Sequence, residues 1–202
     1  MKKLPRALST LVFAFLLGAV LLPATAAADE NGEEANVEVV EFFWYGCPHC
    51  YRFQNPLHDW LDSKPDFVDF KVVPALISND WEVHARAFYA AQLLGELESF
   101  HQPFYDAIHA DGRNLNSIES IAEFAGEQGI DAERFAGAMD SFAVENRLRK
   151  ARTLNRDYGV RGTPSVGVAG EHTVSPRDVS SFAEMMQVVE RHARDARGGG
   201  DN

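Results

Sequence analysis

The chain has 202 residues, with 30 acidic side chains against 19 basic ones and a formal charge of −11, which disfavours nucleic acid or anionic lipid as a partner. Its 46% hydrophobic content suits an ordinary globular core. It carries only two cysteines, three positions apart.

The first residues read as a secretory signal peptide. Lys2, Lys3 and Arg6 make a positive start, and Leu11 to Leu22 is apolar apart from Gly18. Pro23 ends that run, and Ala24-Thr25-Ala26-Ala27-Ala28 supplies the small residues of a cleavage site, after Ala28 first and Ala26 second. The apolar run of about 12 residues falls short of the roughly 20 that span a bilayer. An uncleaved anchor is the alternative. No cysteine stands directly after the run, so a lipid anchor is not indicated. Removing residues 1–28 leaves a chain that suits one domain, or one domain with an insertion.

Asp29 to Asn36 is acidic and reads as a flexible leader. Val37 to Trp44 reads as a buried strand that ends at Gly46. A helix is expected from Cys47 to about Asp62, with Phe53, Leu57, Trp60 and Leu61 at helical spacing and Pro56 kinking or splitting it. Pro65-Asp66 makes a turn, and Phe67 to Val73 reads as a second strand closed by Pro74. Together these make a βαβ unit with parallel strands and a right-handed crossover.

Residues 79–152 read as an all-helical insert of about five helices. Asp80 to Leu94 ends at Gly95, and Glu96 to His109 ends at Asp111-Gly112. Asn116 with Glu119 resembles a capping box for Ile118 to Gln128, and Gly129 stops that helix. Asp131 can cap Ala132 to Met139, and a last helix runs from Ser141 to about Tyr158. Tyr158 to Pro164 is then a loop, Ser165 to Ala169 and His172 to Ser175 form a hairpin around Gly170-Glu171, and Pro176 and Asp178 open a final helix to about Arg194. Gly198 to Asn202 reads as a frayed tail. The expected fold class is α/β. Residues 29–78 and 153–197 form one split domain and 79–152 interrupts it.

The chemistry lies in Glu41-Phe-Phe-Trp-Tyr-Gly-Cys47-Pro48-His49-Cys50-Tyr51, which puts two thiols where a strand turns into a helix. In an exported protein two cysteines usually pair. A bridge closing so small a loop constrains the unfolded chain little, so its value is chemical rather than structural. At the helix start the unpaired backbone N–H groups and the macrodipole favour a Cys47 thiolate. Pro48 suits the first turn, where a missing donor costs nothing. His49, as a cation, would favour the thiolate further. Cys50, one turn deeper, becomes the resolving thiol. A Cys47 pKa near about 4 would stabilise the reduced form by about 4 kcal/mol at pH 7, or about 90 mV, and make the pair an oxidant.

The same stretch, with Val160-Arg-Gly-Thr163-Pro164 and Phe104-Tyr-Asp-Ala-Ile-His-Ala-Asp-Gly-Arg-Asn-Leu-Asn116, resembles the DsbA family of secreted thiol:disulfide oxidoreductases over nearly the whole mature chain. That resemblance implies a thioredoxin fold, a mixed sheet of four or five strands flanked by helices, with an inserted helical domain. Family members usually carry a longer segment before the first strand, which leaves the fifth strand open here. It further implies that Cys47 forms mixed disulfides with reduced substrates. Pro164, preceded by Thr163, is expected to be cis beside the disulfide, where adjacent backbone pairs with substrate. Glu41 is expected as a buried carboxylate assisting Cys50. The implied setting is a periplasmic monomer with no cofactor beyond the Cys47–Cys50 disulfide. Its expected partners are reduced, unfolded exported proteins and a quinone-linked membrane protein of the DsbB type that reoxidises it.

Three other readings compete. A zinc site wants four ligands and here has one cysteine pair. His84 falls in one helical segment and His101 and His109 in the next, and all three read as surface or partly packed. The pair could instead be an inert disulfide, with the chain a non-enzymatic peptide-binding module. A disulfide isomerase or reductase of the same fold is the nearer rival. Phe43, Trp44 and Tyr45 receive no role.

Overall fold

A computed structural model describes residues 36–198. The expected signal peptide, most of the leader and the end of the tail lie outside them. Among the described residues four strands form one sheet in the order β2-β1-β3-β4. They are β1 (Val37–Phe43), β2 (Val68–Pro74), β3 (Ser165–Val168) and β4 (His172–Val174).

β1 lies inside the sheet. Its residues other than Glu38 are buried, which accounts for its near-continuous apolar run. It pairs in parallel with β2, from Val37 opposite Val68 to Phe43 opposite Pro74, and antiparallel with β3, from Val39 opposite Val168 to Phe42 opposite Ser165. β2 is an outer strand, so Pro74 can end it without a missing donor breaking a central ladder. The alternation of β1 sorts its side chains to two faces. Val37 and Val39 pack with helix α1 (Pro48–Leu61) and helix α7 (Phe182–Gly198), against Phe53, Leu57, Met185 and Val189. Val40 and Phe42 pack on the other face with Tyr158 and Val160. Glu41 shares the parity of Val39 and so faces α1.

Pro56 does not split α1, which runs unbroken through it. Its buried stripe of Cys50, Phe53, Gln54, Leu57 and Trp60 holds it against the sheet, and Trp60 donates from Nε1 to Glu190 of α7 at 3.0 Å. Tertiary packing outweighs the loss of one helical hydrogen bond.

Between β2 and β3 come a 3₁₀ turn (Asn79–Trp81) and five helices, α2 (Glu82–Leu94), α3 (Leu97–His109), α4 (Ile118–Glu127), α5 (Ala132–Met139) and α6 (Phe142–Asp157). They close around Phe88, Phe100, Phe104, Tyr105, Phe124 and Phe135, and Phe43 and Tyr45 from the end of β1 join that core. Gly95 takes the left-handed conformation at the end of α2 (φ 78°), as its position after Leu94 suggests. Asp131 caps α5 by accepting from the Arg134 N–H at 2.8 Å. The cap of α4 is displaced by one residue from the expected Asn116–Glu119 pair. Ser117, in extended conformation, accepts from the Ser120 N–H, and the Ser120 hydroxyl accepts in return from the Ser117 N–H.

The last helix also starts later than expected. Asp178 accepts from the Ser175 N–H and hydroxyl at 2.8 and 2.7 Å, which holds a turn where a helix was expected to open. Ser181 then caps α7, accepting from the Glu184 N–H at 3.1 Å. The helix continues past Arg194 to Gly198, the last described residue.

Candidate active site

The Gly46 turn carries the chain from β1 into α1. Cys47 donates its backbone N–H to the Trp44 carbonyl at 3.0 Å and becomes the N-cap, with φ −90° and ψ 112°. Pro48 and His49 occupy the first turn, both exposed. The Cys47 Sγ accepts from the Cys50 backbone N–H at 3.3 Å, so a sulfur takes the place usually held by a hydroxyl or carboxylate oxygen. Both cysteines are free thiols here. Cys47 retains 7% of its surface and Cys50 none, so only one sulfur can be reached from outside.

The electrostatics separate the two sulfurs. Cys47 is pushed down to about 5, chiefly by the Cys50 thiol bonding to its sulfur. Burial works against ionisation, while the Thr163 side chain and the backbone N–H groups of Cys50 and His49 favour it. Burial pushes the Cys50 thiol well up, and the neighbouring Cys47 sulfur adds to that. The result is one thiolate and one thiol at neutral pH.

His49 meets the thiolate through its backbone and Arg52 through its ring. Its backbone N–H favours the thiolate, whereas the ring Nδ1 lies 3.1 Å from an Arg52 guanidinium nitrogen and accepts from it.

Thr163 and Pro164 come to the pair from the other end of the chain, across the loop before β3. The Thr163–Pro164 peptide is cis, and the protonated Cys47 thiol donates to the Thr163 carbonyl at 3.5 Å. Ser165 secures the loop by donating its hydroxyl to the Gly162 carbonyl at 2.8 Å. A cleft of about 470 Å³ opens here, with His49 on one side and the Gly159–Ser165 loop and β4 end on the other.

Glu41 lies beneath the site, 1% exposed. Burial pushes its carboxyl up to about 8, with the Gln54 hydrogen bond acting weakly the other way. Gln54 donates from Nε2 to Glu41 Oε1 at 3.3 Å and lies 3.5 Å from the Cys50 carbonyl, which ties the carboxyl to the resolving cysteine's backbone.

Several residues of this neighbourhood escape sequence reasoning. Gln54 interrupts the apolar stripe of Cys50, Phe53 and Leu57, and a polar residue on a buried stripe is a legible anomaly. His101, Tyr105 and His109 recur every four residues along α3 and so share a face. His101 sits 2.6 Å from the Tyr45 hydroxyl, and His109 Nε2 donates to the Tyr45 carbonyl at 2.7 Å. His84 is 3% exposed and bonds through Nε2 to the Leu115 carbonyl at 2.9 Å. These three histidines hold the turn before Cys47 and its surroundings, His84 buried and His101 and His109 partly packed. Burial pushes His101 down to about 4, so its ring is neutral at pH 7. Trp44 stacks on Trp81 at 4.4 Å, which places the strand end against the helical layer.

A metal finds little here. Among the described residues no group of three or more His, Cys, Asp or Glu side chains is placed to hold an ion. No helix among them is long and apolar enough to cross a membrane.

Comparison with known proteins extends the geometry. Residues 38–187 match the family described as DSBA-like thioredoxin domain. The thiol:disulfide interchange protein DsbA of Burkholderia cepacia is 34% identical, over 94% of this chain and 95% of its own length. The DsbA of Azotobacter vinelandii is 39% identical over 85% of this chain and 78% of its own. The crystal structure of Pseudomonas aeruginosa DsbA superimposes with a TM-score of 0.77 at 30% identity, covering 87% of this chain and 91% of that one.

Proposed function

The chain belongs to the DsbA-like thioredoxin family and is a thiol:disulfide oxidoreductase, and we propose that it works in the periplasm as an oxidant of newly exported proteins. Its Cys47–Cys50 disulfide is the donor. A substrate thiolate attacks the Cys47 Sγ, the Cys47–Cys50 bond breaks, and Cys50 leaves with the electron pair and takes up a proton. A second substrate thiolate then attacks the substrate sulfur of the mixed disulfide and expels Cys47 as a thiolate. The substrate loses two electrons and gains a disulfide; the enzyme keeps both electrons as a Cys47 thiolate and a Cys50 thiol.

One observation carries this direction. The Cys47 sulfur sits at the N-cap of α1 and is pushed down to about 5, which makes it a good leaving group and stabilises the reduced enzyme. Its exposure beside fully buried Cys50 supports Cys47 as the atom that meets substrate. Glu41, buried and linked through Gln54 to the Cys50 backbone, is the proton acceptor and donor for Cys50. Thr163 and Pro164 present backbone to the substrate next to the reacting sulfur. The reaction needs no cofactor beyond the cysteine pair. A quinone-linked membrane protein of the DsbB type reoxidises it, and the enzyme works as a monomer after its signal peptide is removed.

Catalytic amounts of the oxidised protein, added to a reduced test protein, should form disulfides with turnover when an external oxidant is supplied. Cys47→Ser should abolish this. Equal activity in that variant would exclude catalysis through Cys47, and no turnover by the wild type would leave a peptide-binding module.

A further inference from the structure

The cleft beside the cysteine pair carries charge opposite to that of the chain as a whole. Its wall includes Arg161, two residues before Thr163, and Arg177, just after β4, with His49 at its edge. Both arginines are exposed, and neither guanidinium makes a hydrogen bond or salt bridge among the described residues. Arg52 adds a third cation, its guanidinium 3.1 Å from the His49 ring. The one carboxylate on the wall, Asp178, accepts from the Ser175 N–H and hydroxyl and meets the neighbouring Arg177 only through space, with no hydrogen bond or ion pair between them. So a protein of net charge −11 presents an unsatisfied cationic strip at its reacting sulfur.

We propose that this strip selects its substrates: Arg161 and Arg177 take the carboxylate of an Asp or Glu lying within a few residues of the cysteine that attacks Cys47. The proposal rests on the oxidase function and adds a substrate class to it. Guanidinium groups bind carboxylates in bidentate fashion, and two unpaired ones flanking a cleft leave a donor set that an acidic side chain completes. The site lies where an extended segment paired to the Thr163 backbone must pass. Consecutive residues of such a segment advance about 3.3 Å each, so a neighbour of the attacking cysteine remains within reach of a long arginine side chain. The acidic remainder of the surface opposes acidic substrates at long range, so the preference belongs to position in the sequence and not to net charge.

Two reduced dithiol peptides of identical composition provide the test, one with aspartates flanking the first cysteine and one with the same aspartates at the far end. With oxidised enzyme at low salt, kcat/KM should favour the flanked peptide by roughly three- to tenfold, as expected for one or two exposed charge pairs. The ratio should fall towards one in about 0.5 M salt, and in the Arg161→Gln, Arg177→Gln double variant. A ratio within twofold in the wild type, or a preference unchanged in the double variant and in salt, overturns the proposal. If neither peptide is oxidised faster than with Cys47→Ser, the oxidase function itself fails; equal oxidation of both removes only the selectivity.

Discussion

The Cys47 sulfur accepts the Cys50 backbone N–H at 3.3 Å, so the resolving residue helps to hold the attacking sulfur as an anion. Its side chain does the same, since the Cys50 thiol is the largest cause of the low Cys47 pKa. Cys50→Ala keeps the backbone donor and removes the thiol. Thiolate absorbance against pH should then show Cys47 titrating above about 5, and the wild type at about 5 with no second inflection below neutrality. An unchanged midpoint in the variant would mean that the helix N-terminus alone sets the value.

The same shift makes stability depend on pH and redox state. Folding depresses the Cys47 pKa, so the reduced protein gains stability that is complete above the ordinary thiol value of 9.0 and is lost as pH falls through about 5. At pH 7 the gain is about 2–3 kcal/mol, allowing for solvent at this partly exposed sulfur. Chemical denaturation of both redox forms should show the reduced form ahead at pH 7 and that lead shrinking by pH 5. A constant difference across that range would contradict the assignment.

Glu41 acts in the opposite sense. Its folded pKa is raised from 4.5 to about 8, so burying the carboxyl costs nothing below pH 4.5 and progressively more as pH rises to 8. Glu41→Gln keeps an acceptor for Gln54 and should stabilise the protein by about 2–3 kcal/mol at pH 7, with almost no gain near pH 4.5. If Glu41 is the proton partner of Cys50, the variant should also slow turnover while binding peptide as before. A variant that is stabilised yet turns over normally would leave Glu41 without that role.

Gly46 has no room for a side chain. A Cβ there would lie 2.3 Å from Cζ2 of Trp44, whose ring is fixed by its stack on Trp81. Gly46→Ala should destabilise by about 1–3 kcal/mol, measured as a lower denaturant midpoint at unchanged slope. Shortening the obstacle with Trp44→Ala in the same chain should recover part of the loss that the glycine substitution adds. Fully additive effects would show that the two residues do not meet.

The neutral His101 ring shares a hydrogen bond with the Tyr45 hydroxyl through Nδ1, and burial lowers its pKa to about 4. The native state therefore binds its proton later than the unfolded chain, and stability falls as pH drops from 6.5 towards 4. Tyr45→Phe removes the hydroxyl and leaves a ring nitrogen without its partner, at a cost of about 1–3 kcal/mol at pH 7. Ring resonances of His101 that titrate near 6.5 would contradict its burial.

Much of this site is legible in the residues themselves. The β-prone run ending at Gly46, with two thiols at a helix start, is local chemistry, and local chemistry survives in sequence. The pairing of that turn with Thr163-Pro164 is not local, and the similarity of the whole pattern to a family supplies it. Pro56 misleads because helix propensity is weaker than the packing of Phe53 and Leu57. The partners of the histidines are not legible for a related reason: how far His101 is packed depends on where Tyr45 lies, and residues 56 apart meet only once the helices pack on the strand end. The contact of the His49 ring with Arg52, one turn on, depends on side-chain rotamers that the sequence does not state.

The reduction potential of the Cys47–Cys50 pair, measured by equilibration with glutathione, tests the central claim most directly. A thiolate held at about 5 in the reduced enzyme should shift the pair by about 60 mV relative to an ordinary dithiol at pH 7, and a buried Cys50 disfavours no part of that shift. The account predicts a potential more oxidising than about −180 mV. A value near about −270 mV, where thioredoxin-type reductants lie, would contradict it.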